Sequence, residues 1–499
     1  MTNGKVSTMT RQKVGTLLVV AVLIVSVLAI GFGCTRTKGP DAPDKDAPVI
    51  EPPKIVSVYE YPKPDYPKVL VDGTYAIPEG MRYMDGESTI VPAIQDFTLR
   101  TTPEFIADGD QVNTCYSPAS LFYSLSMAAH GAGTETRDQL FNVIGMPDDY
   151  TLLNEYKDLF LNLYINSDAD TKITNSLWLR LSEDSYMQNY RESMKAYFYA
   201  ELFEAQFGTE DADAAMMQWA KDNTGGNVTP EITSAEDWQI ALMSSLHFKA
   251  AWATPFDESA SFQAEFHAES GDVTADYMQL DTSNIPSDYR QTKDYTAVDI
   301  PFVDGTSMKV ILPSQKSSVN ALMSNPELLA DALYGEANAT AGITYTLPKF
   351  SFSDSYALAE DIEAMGAPLA FHQGADFSTM LEGQGYISSL DQDTHVMINE
   401  QGAEGGAFTQ MTAVTTSLTP DTEDKLKTLN FTASRPFIYA INSPEGVTLF
   451  VGTVGDPTVG DAGYEILQEE SSLDDEETSE DGKPAESAID HPARSINSL

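Results

Sequence analysis

The sequence predicts an α+β fold, and three observations lead there. Helix signals crowd the first third of the folded region and strand signals follow them, without the regular alternation that builds a doubly wound sheet. The 499 residues suffice for one large domain with tails, or for two ordinary domains. The third observation is the stretch 399–418, NEQGAEGGAFTQMTAVTTSL, whose two halves make opposite local demands. Its glycines favour a loop, whereas the uncharged, Thr- and Val-rich run 408–418 favours a strand. A strand-prone, charge-free run left in a loop is an aggregation hazard. Two arrangements resolve the conflict: a segment that is loop in one state and strand in another, or a Gly/Ala-rich linker leading into an ordinary edge strand.

Taken in order, the chain opens with Lys5, Arg11 and Lys13 before an apolar run over 14–30 and Gly31-Phe-Gly-Cys34. This resembles a bacterial lipoprotein signal over 1–33, with cleavage before Cys34 and lipid on its thiol. Gly31 stands where such signals usually carry a Leu-like residue. A single-span anchor is the alternative, since the run is just long enough to cross a bilayer. Either arrangement places the rest of the chain on the extracellular face of a bacterial envelope, or releases it to the extracellular space. Residues 34–86 are polar and rich in proline, which favours an extended, semi-rigid spacer.

The folded region is expected over 87–458. Ile94, Phe97 and Leu99 suggest a short amphipathic helix. Ser117 followed by Pro118 is a helix start, with a capping hydroxyl and a proline in the first turn. Leu121, Leu125 and Ala128 continue at helical spacing until Gly131 and Gly133. A second helix spans 134–144 and stops at Gly145, and another occupies 216–224. Strands are expected at 171–181, 240–252, 295–302, 307–312 and 343–352, with a helix at 355–365. Residues 437–442 and 446–454, separated by Ser443-Pro-Glu445, read as a hairpin. The acidic segment 459–499 reads as a disordered, solvated tail.

The net charge of −46 argues against nucleic acid and against anionic membrane surfaces as partners. No nucleophile elbow, zinc helix, phosphate loop or C-x-x-C motif is present, and the six histidines are scattered without ligand spacing. Cys34 lies in the leader and Cys115 beside a helix, so no disulfide framework is expected. Cys115 reads as a packed small residue. Neither a cofactor nor a metal is implied.

Several motifs in order resemble the serpin family across about 87–457. They are Asn113-x-x-x-Ser117-Pro118-x-Ser120, Leu246-His-Phe-Lys-Ala-Ala-Trp252 with Pro255-Phe256, and Leu347-Pro-Lys-Phe350. Ala375-Asp-Phe-Ser378, Asn399-Glu400-x-Gly402-x-Glu404, Phe431-Thr-Ala-Ser-Arg-Pro-Phe437 and Val451-Gly-Thr-Val454 with Asp456-Pro457 follow. The resemblance implies a large mixed main sheet, an exposed reactive-centre loop and a monomeric inhibitor acting as a suicide substrate. A serine protease attacks the loop and forms an acyl-enzyme; the cut loop then enters the main sheet as a new strand. A millionfold block of deacylation needs about 8 kcal/mol, within reach of about ten strand hydrogen bonds at roughly 1 kcal/mol each.

On that resemblance the hinge comprises Glu400, Gly402, Ala403, Glu404, Gly405, Gly406, Ala407, Phe408 and Thr409. Ala403, Gly405, Ala407 and Thr409 fall on the inward face and are small. Phe408 is bulkier than the family's usual residue but falls outward. Ser244 and Gln392 replace the family's Asn and His in a polar cluster that also includes Ser117, so a rebuilt cluster is expected there. Counting from Glu400 puts the scissile bond at Thr416-Ser417; counting back from Phe431 puts it near Thr422. The residues Ala413, Val414, Thr415 and Thr416 suit an elastase- or subtilisin-like protease. Cleavage at Lys425 or Lys427 would instead indicate a trypsin-like one. The alternatives are an inhibitor of papain-like cysteine proteases and a non-inhibitory, surface-tethered binding protein on the same fold.

Overall fold

Ser117 and Pro118 begin a helix that the rest of the domain is built around. The Ser117 hydroxyl accepts from the Ser120 N–H (3.3 Å), and every residue from Pro118 to Gly131 is buried. A helix buried on all sides, its serines and histidine included, belongs to a core, and this one runs behind the main sheet. The computed structural model describes residues 57–64, 66, 88–106, 112–165, 172–181, 186–224, 226, 230–403 and 426–460. All of them lie in one unit of the chain, 56–499.

The helices are α1 (Ile90–Ile106), α2 (Pro118–Gly131), α3 (Thr134–Ile144), α4 (Leu153–Ile165), α5 (Gln188–Tyr197) and α6 (Glu210–Asn223). Three shorter ones follow: α7 (Val319–Met323), α8 (Pro326–Tyr334) and α9 (Ala359–Ala364). The strands begin with β1 (Val58–Glu60), β2 (Asn113–Tyr116), β3 (Lys172–Arg180), β4 (Glu201–Ala205), β5 (Ile240–His247) and β6 (Ala250–Ala251). Next come β7 (Phe262–Ala268), β8 (Gly271–Gln291), β9 (Tyr295–Pro301), β10 (Ser307–Pro313), β11 (Ala339–Pro348) and β12 (Phe350–Ala357). The last are β13 (Ile387–Ile398), β14 (Gly402–Ala403), β15 (Thr428–Thr432), β16 (Phe437–Asn442) and β17 (Thr448–Val454). The fold is α+β, as expected.

The main sheet runs β1-β4-β3-β5-β13, with β12 on the far side of β13 and β14 bridging β13 to β6 at one end. A second sheet, β15-β11-β8-β9-β10-β16-β17-β2 with β7 against β8, packs beneath. All eight residues of β5 are buried, as befits a central strand covered on both faces.

Four expectations are corrected. The 240–252 strand is two strands, because the chain breaks at Phe248 and Lys249 to cross the top of the sheet. The 343–352 strand is divided at Lys349 between β11 in one sheet and β12 in the other. Residues 355–357, expected in a helix, extend β12, whose ladder to β13 includes Tyr356 opposite Gln392; sheet pairing overrides the local helical pattern there. Part of the expected spacer is also structured. β1 adds to the edge of the main sheet, with Tyr59 opposite Glu204. Lys63 pairs with the buried Glu201 (3.1 Å), whose other oxygen accepts from the Trp219 indole on α6 (2.9 Å). Lys63 gives this buried carboxylate a counter-charge, and with the β1–β4 ladder it holds the proline-rich segment on the sheet.

On α2, His130 is buried against Phe141 in an edge-to-face contact at 5.1 Å. Neither ring nitrogen has a hydrogen-bond partner among the described residues. Burial, and then the nearby Arg137 charge, lower its pKa to about 4. The imidazole is therefore neutral when folded, while the unfolded chain takes up its proton near pH 6.5. Between those values the unfolded state binds more protons, so stability falls as pH drops from about 6.5 towards 4, by up to about 3 kcal/mol. Urea unfolding across that range will show this slope in the wild type and its loss in His130→Phe.

Candidate functional site

The pairing of β5 with β13 stops part-way along both strands. The ladder is parallel and its last pairs are Asp391 with Met243 and Gln392 with Ser244. Beyond them β5 stays paired with β3 as far as His247, and β13 with β12 as far as Ile398. The two strands thus diverge, each held from outside.

The residues following β13 turn back into the opening. Asn399 makes the turn: its side chain accepts from the N–H groups of Gln401 (2.9 Å) and Gly402 (3.2 Å), and its own N–H donates to the Gly402 carbonyl (3.0 Å). Gly402 and Ala403 then form β14, with Ala403 opposite Ile398 on one side and Ala250 on the other. A Cβ on Gly402 would stand 2.0 Å from the Ala250 carbonyl oxygen, so only glycine fits there.

Side chains secure the turn. Glu400 is buried and pairs with Lys349 (3.2 Å), and the Ser261 hydroxyl donates to it. Trp252 is fully buried, stacks on Phe302 at 4.4 Å, and donates its indole N–H to the Asn399 carbonyl (2.8 Å). Its backbone N–H donates to the Gln401 carbonyl (3.1 Å). The break that separated β6 from β5 is what brings Trp252 to this position.

The polar cluster forms as two tethers. Gln392 accepts from the Ser117 N–H (2.9 Å) and donates to the Ser117 carbonyl (2.9 Å), tying β13 to the start of α2. Ser244 hydrogen-bonds Ser120 on the same helix turn and donates to Asn175 on β3 (2.9 Å). The expected cluster is therefore divided, and Ser120 and Asn175 are members that sequence reasoning missed. Ser120 lies inside the quoted helix-start motif, whereas Asn175 carries no local signal. Each side of the seam is fastened to α2, and no side-chain hydrogen bond joins Ser244 to Gln392. Separating the strands there leaves both tethers in place.

Cys115 is fully buried, and burial raises its pKa to about 12, so the thiol stays protonated. His372 meets one carboxylate, Glu363 (2.9 Å), and His267 meets two: it faces Asp272 across a hairpin (2.8 Å) and lies 3.6 Å from Glu265. His267, Asp272 and Glu265 are all exposed, and the histidine count could not reveal a neighbour supplied by strand pairing. Glu404, Gly405, Gly406, Ala407, Phe408, Thr409, the Thr416-Ser417 bond and Cys34 lie outside the described residues.

The main sheet thus diverges above a tethered seam, and the next segment of chain is already turned into the opening. Residues 92–457 match the family model described as Serpin (serine protease inhibitor), and the chain belongs to that family. It is 28% identical over 384 residues to Serpin-ZXA of Oryza sativa subsp. japonica, covering 72% of this chain and 93% of that protein. Solved structures that share the fold include the following two. Serpin48 of the insect Tenebrio molitor has TM-score 0.64 and 21% identity, over 74% of this chain and 98% of that one. Human thyroxine-binding globulin in complex with thyroxine also has TM-score 0.64, at 20% identity over 75% and 100% of the chains. The family is one of protease inhibitors rather than enzymes.

Proposed function

We propose that the protein traps serine proteases as covalent acyl-enzymes by admitting its own cleaved loop between β5 and β13. The observation that carries this reading is Ala403, paired on both sides in a two-residue strand at the top of a seam whose own strands pair only from Gln392 and Ser244 downward. A strand continued from Ala403 in the same register brings Gly405 opposite Val396, Ala407 opposite Thr394 and Thr409 opposite Gln392. Those three β13 residues are buried, which suits small incoming side chains. The strand reaches Val414 opposite Ile387, the first residue of β13. A loop cut after Thr416 is therefore long enough to span the sheet.

The chemistry balances simply. The protease serine oxygen bonds to the Thr416 carbonyl carbon, the Thr416–Ser417 C–N bond breaks, and Ser417 leaves as a free amine after taking a proton. Insertion then carries the ester-linked protease away before water attacks. The small residues before the bond support an elastase- or subtilisin-like target, and the leader supports a tether through Cys34 on the outer face of the envelope.

The test mixes the full chain with pancreatic elastase, followed by a denaturing gel and mass spectrometry. A complex surviving denaturation, with a new amino terminus at Ser417, is the expected result. Clean cleavage without a complex, and with no rise in the melting temperature of the cut protein, would exclude trapping and leave a binding role on the same fold.

A further inference from the structure

Between α6 and the outer face of the main sheet lies a cavity of about 510 Å³ that the fold leaves unfilled. Met216 and Trp219 of α6 and Trp238 from the following loop line it on one side. On the sheet side it is bordered by residues of β5 and β13 around the seam.

The hinge allows this cavity to be indexed against the chain. Ala403 sits opposite Ile398 and Ala250, which places those two residues level with each other. Lower down, the direct ladder between β5 and β13 keeps the same offset, with Asp391 opposite Met243. The offset is therefore the same from Ser389 to Ile398, and it shifts only below, between Ile387 and Ser389. Followed downward, it sets Phe408 between Asp393 and Ser245, Gln410 between Asp391 and Met243, and Thr412 between Ser389 and Ala241. Each of those six residues lines the cavity.

We propose that the cavity beneath α6 is the receptor for the outward-facing side chains of the incoming strand, and that Phe408 is its anchor. This rests on the trapping reading and adds a residue-level determinant to it. An aromatic ring delivered there would be buried against Trp219 and Trp238, which favours the inserted state. Gln410 also fits, because an amide can donate to Asp391, whereas a carboxylate at that position would meet one of its own sign. No Lys, Arg or His among the described residues lines the cavity, so the ring and the amide meet a chamber of aromatic groups, hydroxyls and acids. Phe408 is thus a specificity-determining part of insertion here rather than an obstacle passed on the way.

The experiment compares the full-length wild type with Phe408→Ala and Phe408→Leu. The intact protein is incubated with an acetylated peptide of the sequence 403–414, or with the same peptide carrying alanine at 408. Tryptophan fluorescence reports on the cavity through Trp219 and Trp238. The Phe peptide should anneal and change the emission, with the Ala peptide at least tenfold slower. In parallel, Phe408→Ala should lower the ratio of trapped complex to cleaved product about tenfold, equivalent to some 1.4 kcal/mol, and Phe408→Leu should restore much of it. Equal annealing of both peptides with equal trapping by Phe408→Ala, or better trapping by it, would overturn the assignment while leaving the inhibitor reading intact. Failure of the wild type both to trap and to gain thermal stability after cleavage would overturn both.

Discussion

Ala403→Arg will turn the protein from an inhibitor into a substrate. Ala403 is 2% exposed and lies between Ile398 and Ala250, so an arginine there must either bury its guanidinium or leave the sheet. Burying an unpaired charge costs several kcal/mol, and Lys349, already occupied by Glu400 (3.2 Å), adds a like charge nearby. The hinge will therefore be expelled and insertion will start from nothing. A handicap of about 3–5 kcal/mol at this step corresponds to on the order of a hundred- to a thousandfold loss in the ratio of trapping to turnover. Titrating a fixed amount of elastase with wild type and variant measures that ratio directly. Unchanged trapping by Ala403→Arg would sink the insertion mechanism.

Trp252→Ala will produce the largest loss of stability among the hinge contacts. The indole is fully buried, stacked on Phe302 and hydrogen-bonded to the Asn399 carbonyl. Removing a buried tryptophan side chain costs about 3–5 kcal/mol. The same change takes away the surface on which the Asn399 turn rests, so the hinge should also become accessible. Two measurements check this: a lower urea midpoint, and new proteolytic cuts within 399–403. A midpoint shift without those cuts would mean that Lys349, Ser261 and the Gln401 carbonyl contact hold the hinge unaided.

Residues 399–403 show why the hinge was legible. Small residues alternating from Ala403 have few physical explanations, and a strand that must fit between two others is one of them. Ser117 and Pro118 announced α2 because capping and the missing proline N–H are local requirements. Trp252 was legible only as part of a motif, since its role arises from the crossing at Phe248 and Lys249. Asn175 was not legible at all, because its partner Ser244 is 69 residues away and meets it only through strand pairing.

The sequence by itself determined the class of fold and the position of the hinge at Gly402 and Ala403. Each of these is written in periodicity, turn chemistry or an ordered set of motifs. Tertiary structure alone decided where β5 and β13 part, which residues tether each side to α2, and that a piece of the proline-rich segment joins the sheet edge. It also decided that a cavity lies between α6 and the main sheet beside the seam. These features depend on which strands meet and at what offset, and a register is a relation between distant segments that no local pattern of residues contains.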